Sequence, residues 1–132
     1  MTIVIDASAL TEIILGTPVS DVLAPRLTRT RVLAPDIIDA EVASTLRRHH
    51  RQGDLTDRNL VAALDLLVDW PGVRVPTRLM VGGARRWWGN VSAYDSLYLA
   101  VALASGASVL TCDARLSRAP GTGVPVENVR VI

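Results

Sequence analysis

Five short β-type runs alternate with helix-length segments along this chain, and that alternation limits its fold more than any other feature. The runs are Thr2 to Ile5, Arg31 to Leu33, Val73 to Val75, Ser108 to Thr111 and Asn128 to Ile132. Between them the pattern predicts helices over Ala7 to Leu15, Ser20 to Thr28, Asp36 to Gln52, Asp57 to Asp69, Thr77 to Trp87 and Ala93 to Ser105. Pro18, Pro35, Gly53, Pro71, Pro76 and Gly106 punctuate these segments, since both residue types break or end helices. Strands separated by helices pair in parallel through right-handed crossovers, so the expected class is α/β with a central, mainly parallel sheet. In such sheets the functional loops gather at the carboxyl ends of the strands.

A chain of 132 residues with 49% hydrophobic letters has enough apolar surface for one domain spanning 1–132. Its formal net charge is only +1, so any affinity for nucleic acid must come from local clusters of charge. All fourteen basic residues are arginine, which excludes every mechanism that requires a lysine. The single cysteine, Cys112, permits neither an internal disulfide nor a cysteine-rich zinc site, and fits a reducing, cytoplasmic setting. The first apolar run contains Asp6 and has no basic leader, which argues against a secretory signal. The longest apolar stretch, Tyr98 to Ala104, falls far short of the ~20 residues a membrane span needs, so no membrane association is expected.

Four acids stand where chemistry is expected. Asp6 ends the first β-type run and precedes the helix-compatible Ala7-Ser8-Ala9-Leu10. Asp113 repeats that geometry after Ser108 to Thr111. Both positions also suit a helix N-cap. Glu41 falls on the apolar arc of its helix, among Ile37, Ile38, Val42, Thr45 and Leu46. An inward-facing carboxylate costs several kcal/mol unless compensated, so something positive is expected to meet it, with Arg48 on the same helix as one local partner. Asp95 follows Ser92 at capping-box spacing, at the start of a helix so apolar from Leu97 to Ala104 that it must be buried. Two strand-end acids and two helix acids can meet at one sheet edge. Four such charges repel one another unless a cation neutralises them, and an all-oxygen set of hard ligands suits Mg²⁺ or Mn²⁺.

The words around these acids resemble the VapC toxins among PIN domains. They are Val4-Ile5-Asp6-Ala7-Ser8-Ala9-Leu10, Glu41 before Val42-Ala43-Ser44-Thr45-Leu46-Arg47-Arg48, Ala93-Tyr94-Asp95-Ser96-Leu97-Tyr98-Leu99-Ala100, and Leu110-Thr111-Cys112-Asp113-Ala114-Arg115-Leu116. The likeness runs through most of the chain and is poorest from Trp70 to Val91. It implies an α/β/α sandwich, an Mg²⁺- or Mn²⁺-dependent endoribonuclease, a homodimer and a cognate antitoxin. By position it gives Asp6, Glu41, Asp95 and Asp113 the metal-site and catalytic roles, with Ser8 and Thr111 as polar supports. PIN domains also serve in RNA processing outside toxin pairs, and an RNA- or partner-binding module is a third class the sequence leaves open.

Two arginine clusters are candidate RNA contacts: Arg47 and Arg48, and Arg85 and Arg86 beside Trp87 and Trp88. Guanidinium groups grip phosphate in bidentate fashion, and indoles stack on unpaired bases. A solvated helix end and a buried tryptophan pair account for the same residues. His49 and His50 lie beyond Glu41 on its helix and receive no catalytic role. A phosphoacceptor domain would need a lysine beside its acids, and no glycine-rich dinucleotide fingerprint follows the first strand.

Overall fold

The computed structural model describes residues 1–130. Its five parallel strands are β1 (Thr2–Ile5), β2 (Arg31–Pro35), β3 (Val73–Val75), β4 (Ser108–Thr111) and β5 (Val126–Asn128), in the order β3-β2-β1-β4-β5. The helices among the described residues are α1 (Ala7–Leu15), α2 (Pro18–Leu27), α3 (Ile38–Arg51), α4 (Asp57–Asp69), α5 (Thr77–Ala84), α6 (Ala93–Ser105) and α7 (Ala114–Arg118). The chain steps from β1 to β3 toward one edge, then jumps back past β1 to β4 and on to β5. Right-handed crossovers therefore assign α1 to α4 to one face and α5 to α7 to the other, which makes the expected sandwich. Packing agrees: α1 lies on α2, α3 and α4, while α5 packs on α6, which crosses β1, β2 and β4.

The core sits where these layers meet. Val4, Ile5, Val109 and Leu110 of the two central strands have no exposure. Every residue of α6 from Ser96 to Ala102 is buried, as a helix apolar on nearly every side requires. Side-chain oxygens of Asp6, Thr56 and Ser92 cap α1, α4 and α6, satisfying amides that have no partner within the helix. Gly16 and Gly106 end α1 and α6 with φ of 63° and 65°, a conformation that disfavours any side chain. Among the described residues no single helix is long and apolar enough to cross a membrane.

Several boundaries differ from expectation, each for a local reason. The last strand was expected over Asn128 to Ile132. It pairs instead from Val126, because the Val109 amide donates to the Pro125 carbonyl at 2.9 Å and so fixes the register. Residues 131 and 132 lie outside the described part of the chain. α2 begins at Pro18 and not Ser20, since a proline in the first turn forfeits no helical hydrogen bond. α3 begins at Ile38 and not Asp36. The Asp36 carboxylate is occupied across the fold, accepting from the amide (2.9 Å) and hydroxyl (2.5 Å) of Thr77. α5 stops at Ala84 after the helix-weakening pair Gly82-Gly83, and Arg85–Trp87 tighten into a 3-10 turn.

Arg74 holds together the edge of the sheet where the sequence likeness is weakest. Its guanidinium grips Asp39 through Nε and Nη2 (2.9–3.2 Å), donates to the carbonyls of Leu67 (2.7 Å) and Trp70 (2.8 Å), and lies 5.0 Å from the Trp70 ring centroid. It thus joins β3, α3 and the end of α4. In the bidentate Arg26–Glu127 pair the guanidinium is more open to water and, among the described residues, has no carbonyl anchor. Arg74→Ala should therefore cost about 2 kcal/mol, because it removes a donor from the Trp70 carbonyl and a second donor from the Leu67 carbonyl along with the Asp39 pair, whereas Arg26→Ala should cost under about 1 kcal/mol. Denaturant unfolding of both variants checks this. Equal losses would show that the clamp is no stronger than a surface pair.

Candidate active site

Connections leave β1 and β4 toward opposite faces, so a crevice opens between the loops at their carboxyl ends. Asp6 follows β1 directly and Asp113 stands two residues beyond β4, which puts one acid on each side of it.

Asp6 is only 6% exposed. Its Oδ1 accepts from the Ser8 hydroxyl at 2.6 Å and from the Ala9 amide at 3.0 Å, so it caps α1 while it faces the crevice. Burial pushes its pKa up to about 6, against the pull of Ser8, Thr111 and Ala9, and the charge of Asp95 adds to the rise. The Ser8 oxygen accepts from the Cys112 amide at 2.9 Å and lies 3.3 Å from the Thr111 hydroxyl, whose oxygen accepts from the Asp113 amide at 2.8 Å. A chain of hydroxyls thus ties the β1–α1 turn to the β4–α7 turn.

Glu41 enters from α3 and is met by the Tyr98 hydroxyl of α6, which donates to Oε1 at 2.7 Å. Among the described residues neither Arg48 nor any other basic side chain forms an ion pair with Glu41. A neutral phenol can reach a half-buried carboxylate without carrying a second charge out of water. Burial raises the Glu41 pKa, the Tyr98 bond opposes that, and the charge of Asp95 adds to it. The same burial, with Glu41 beside it, pushes the Tyr98 phenol far above its ordinary range, so it stays a donor.

Asp95 stands in the first turn of α6, its amide donating to the Ser92 hydroxyl at 3.1 Å. Burial and then the charge of Asp113 raise its pKa, while Ser92 and Arg115 pull the other way. Asp95 is therefore coupled to each of the other three acids. Asp113 differs from them, since the Arg115 guanidinium on its carboxylate holds its pKa below the usual range.

All four acids line one cleft of about 750 Å³, together with Ser8, Glu12, Arg48, Tyr94, Tyr98 and Arg115. Thr111 lies fully buried beneath it. Arg47 lines a shallow recess beside the cleft with Arg48 and Arg51. Arg85 and Arg86 are not among the lining residues; Arg86 lies over the buried Trp87, 5.3 Å from its centroid, and Trp87 donates to the Thr122 carbonyl at 2.7 Å. Trp88 is half exposed and donates to Ser96 at 3.1 Å. Sequence reasoning missed Glu12 and the pairings made by Tyr98 and Arg115. The pattern of α6 carried a usable signal for Tyr98, the one hydroxyl within the apolar run Leu97 to Ala104.

The donor set suits a hard divalent cation, because carboxylates and hydroxyls supply only oxygen and the charge they gather is large. Among the described residues no three acidic, histidine or cysteine side chains converge tightly enough to hold an ion as they stand. Asp113 is engaged by Arg115 and Glu41 by Tyr98.

Comparison with known proteins gives concordant results. The family model described as PIN domain matches residues 3–121. Ribonuclease VapC1 of Mycobacterium tuberculosis is 33% identical over 129 residues, covering 96% of this chain and 97% of that protein. Ribonuclease VapC3 of the same organism is 38% identical over 120 residues, covering 89% and 86%. Two solved structures share the fold. One is VapBC2 from Rickettsia felis bound to a DNA fragment from their promoter (TM-score 0.68, 15% identity, 98% of this chain and 100% of that one). The other is PAE2754 from Pyrobaculum aerophilum (TM-score 0.65, 18% identity, 96% and 83%).

In chelator, Asp6→Asn should raise stability at neutral pH. The folded-state pKa of about 6 lies above the ordinary 3.8, so the Asp6 charge opposes folding above pH 6, and this penalty fades as pH falls toward 4. Asparagine keeps the cap without the charge. Near pH 7 the variant should gain on the order of 1–3 kcal/mol, and its melting temperature should respond less than the parent's between pH 7 and pH 5. A variant less stable than the parent at pH 7 contradicts this account of the site.

Proposed function

This chain belongs to the PIN-domain family and to its VapC group, and from that premise we propose that it is a single-domain, metal-dependent endoribonuclease acting as the toxin of a toxin-antitoxin pair. One observation supports the reading above the others: four carboxylates from four separate places in the sequence line a single cleft at the switch point of the sheet, coupled through Asp95. Asp6, Glu41, Asp95 and Asp113 are the residues we assign to Mg²⁺ or Mn²⁺. When bound, such an ion supplies Lewis-acid chemistry, lowering the pKa of water and offsetting the charge that builds on the scissile phosphate.

The chain's own groups then have distinct tasks. Ser8 and the Ala9 amide fix Asp6 Oδ1, so that carboxylate needs no reorganisation when the site fills. Tyr98 orients Glu41 in the same way. Thr111 and Ser8 hold the two strand-end turns at a constant separation. Arg48 on the α3 wall offers a guanidinium to an RNA phosphate, and Arg47 extends that basic edge along the helix. In the hydrolysis, water forms a bond to phosphorus and the bond to the 3′-oxygen breaks, that oxygen leaving with a proton. RNA is the substrate in this reading, and a cognate antitoxin is the partner that silences the cleft by presenting a basic side chain to its acids.

A homodimer completes the proposal, on the apolar residues that α4 leaves in water: Val61, Leu64 and Val68 share an outward arc of the helix. Sedimentation at micromolar concentrations should show a dimer, and a strictly monomeric species contradicts it.

The cleavage test uses purified, antitoxin-free protein and structured RNA. Asp6→Asn, Glu41→Gln, Asp95→Asn and Asp113→Asn should each lower the rate about a hundredfold or more, and chelator should abolish it in the parent. Cleavage that survives chelator, or that persists undiminished in these variants, removes the assignment.

A further inference from the structure

The Asp113 carboxylate is bonded by one residue. The Arg115 amide donates to Oδ1 at 2.9 Å, Nε approaches both oxygens at 3.3 Å, and Nη2 donates to Oδ2 at 2.9 Å. The arginine lies on the solvent side, its side chain 85% exposed above a carboxylate that is 28% exposed. Among the described residues its guanidinium has no other hydrogen bond. Arg74 shows what a permanent clamp looks like in this fold: its side chain is 25% exposed and two backbone carbonyls anchor it as well as Asp39. Arg115 has no such anchor, so little beyond Asp113 itself holds it over the cleft.

We propose that Arg115 is a resident counter-cation on Asp113 that an incoming divalent ion must displace, so that it sets the metal concentration at which the cleft fills. This rests on the metal-site reading above. A divalent ion on Oδ2 would meet the positive charge of Nη2, which bonds that oxygen at 2.9 Å, whereas the uncharged Arg115 amide can keep its cap on Oδ1. The charge of Arg115 also reaches Asp95, so its departure restores negative potential to two of the four acids together. An exposed pair of this kind contributes little in water, which makes displacement a matter of about fivefold at most and not a block. The opposite strand end works differently: Asp6 is deeply buried and holds its place with hydroxyl and amide donors, leaving it nothing to expel.

The test is calorimetric titration of Mn²⁺ into the intact protein without RNA, comparing the parent with Arg115→Gln, Arg115→Lys and the remote control Arg58→Gln on α4. Arg115→Gln should bind Mn²⁺ about threefold to fivefold more tightly at low salt, with the gain shrinking near 0.5 M NaCl, where exposed charges are screened. Arg115→Lys should fall between, since it keeps the charge and loses the fork. Arg58→Gln should match the parent. Unchanged or weaker binding by Arg115→Gln, or an equal gain from Arg58→Gln, overturns this proposal and leaves the metal site standing. If the parent takes up no Mn²⁺, both readings fall.

Discussion

Asp6 is a carboxylate at the end of the central strand, 6% exposed, with its pKa raised to about 6 by that burial. The fold tolerates it through local donors only: a hydroxyl, an amide and a second hydroxyl behind the first. Those donors do more than offset desolvation. Ser8 also takes the Cys112 amide, so solvating Asp6 and joining the β1–α1 turn to the β4–α7 turn are done by the same atoms. A change that freed Asp6 from its cap would therefore loosen the crevice between the two strands as well.

α6 sets the opposite side of the cleft. Its burial against β1, β2 and β4 fixes where Asp95 and Tyr98 stand, and Tyr98 carries that placement across to Glu41 on α3. In three acids, Asp6, Glu41 and Asp95, burial raises the affinity for protons, and the charge of Asp95 adds to the rise at Asp6 and Glu41. The fourth, Asp113, carries an arginine on its outer side. The cleft stores electrostatic strain on its buried side and relieves it on its exposed side, an asymmetry that follows from the depth of each residue.

Much of this was legible in the sequence because it depends on local pattern. An apolar run that ends in aspartate before a helix start gives both Asp6 and Asp113, and the apolar girdle of α6 gives its burial and hence the position of Asp95. Pairings between distant segments were not legible. Tyr98 and Glu41 lie 57 residues apart and Ser8 and Cys112 lie 104 apart, separations on which periodicity is silent. The local partner the sequence offered for Glu41 was Arg48, but the donor on its carboxylate is the Tyr98 phenol from another helix. Charge clusters were the least informative feature. Arg48 reaches the cleft, while Arg85 and Arg86 belong to a 3-10 turn away from its lining.

The chemistry of the cleft depends on whether the four acids gather a divalent ion that none of them holds alone. Crystals of the protein soaked in Mn²⁺ and measured near the manganese absorption edge report this directly, through anomalous difference density. Density inside the cleft, contacting Asp6 and Asp95 and drawing in Asp113 as Arg115 moves off it, is the predicted result. A cleft without anomalous density at saturating Mn²⁺, or an ion bound elsewhere on the surface, would contradict it.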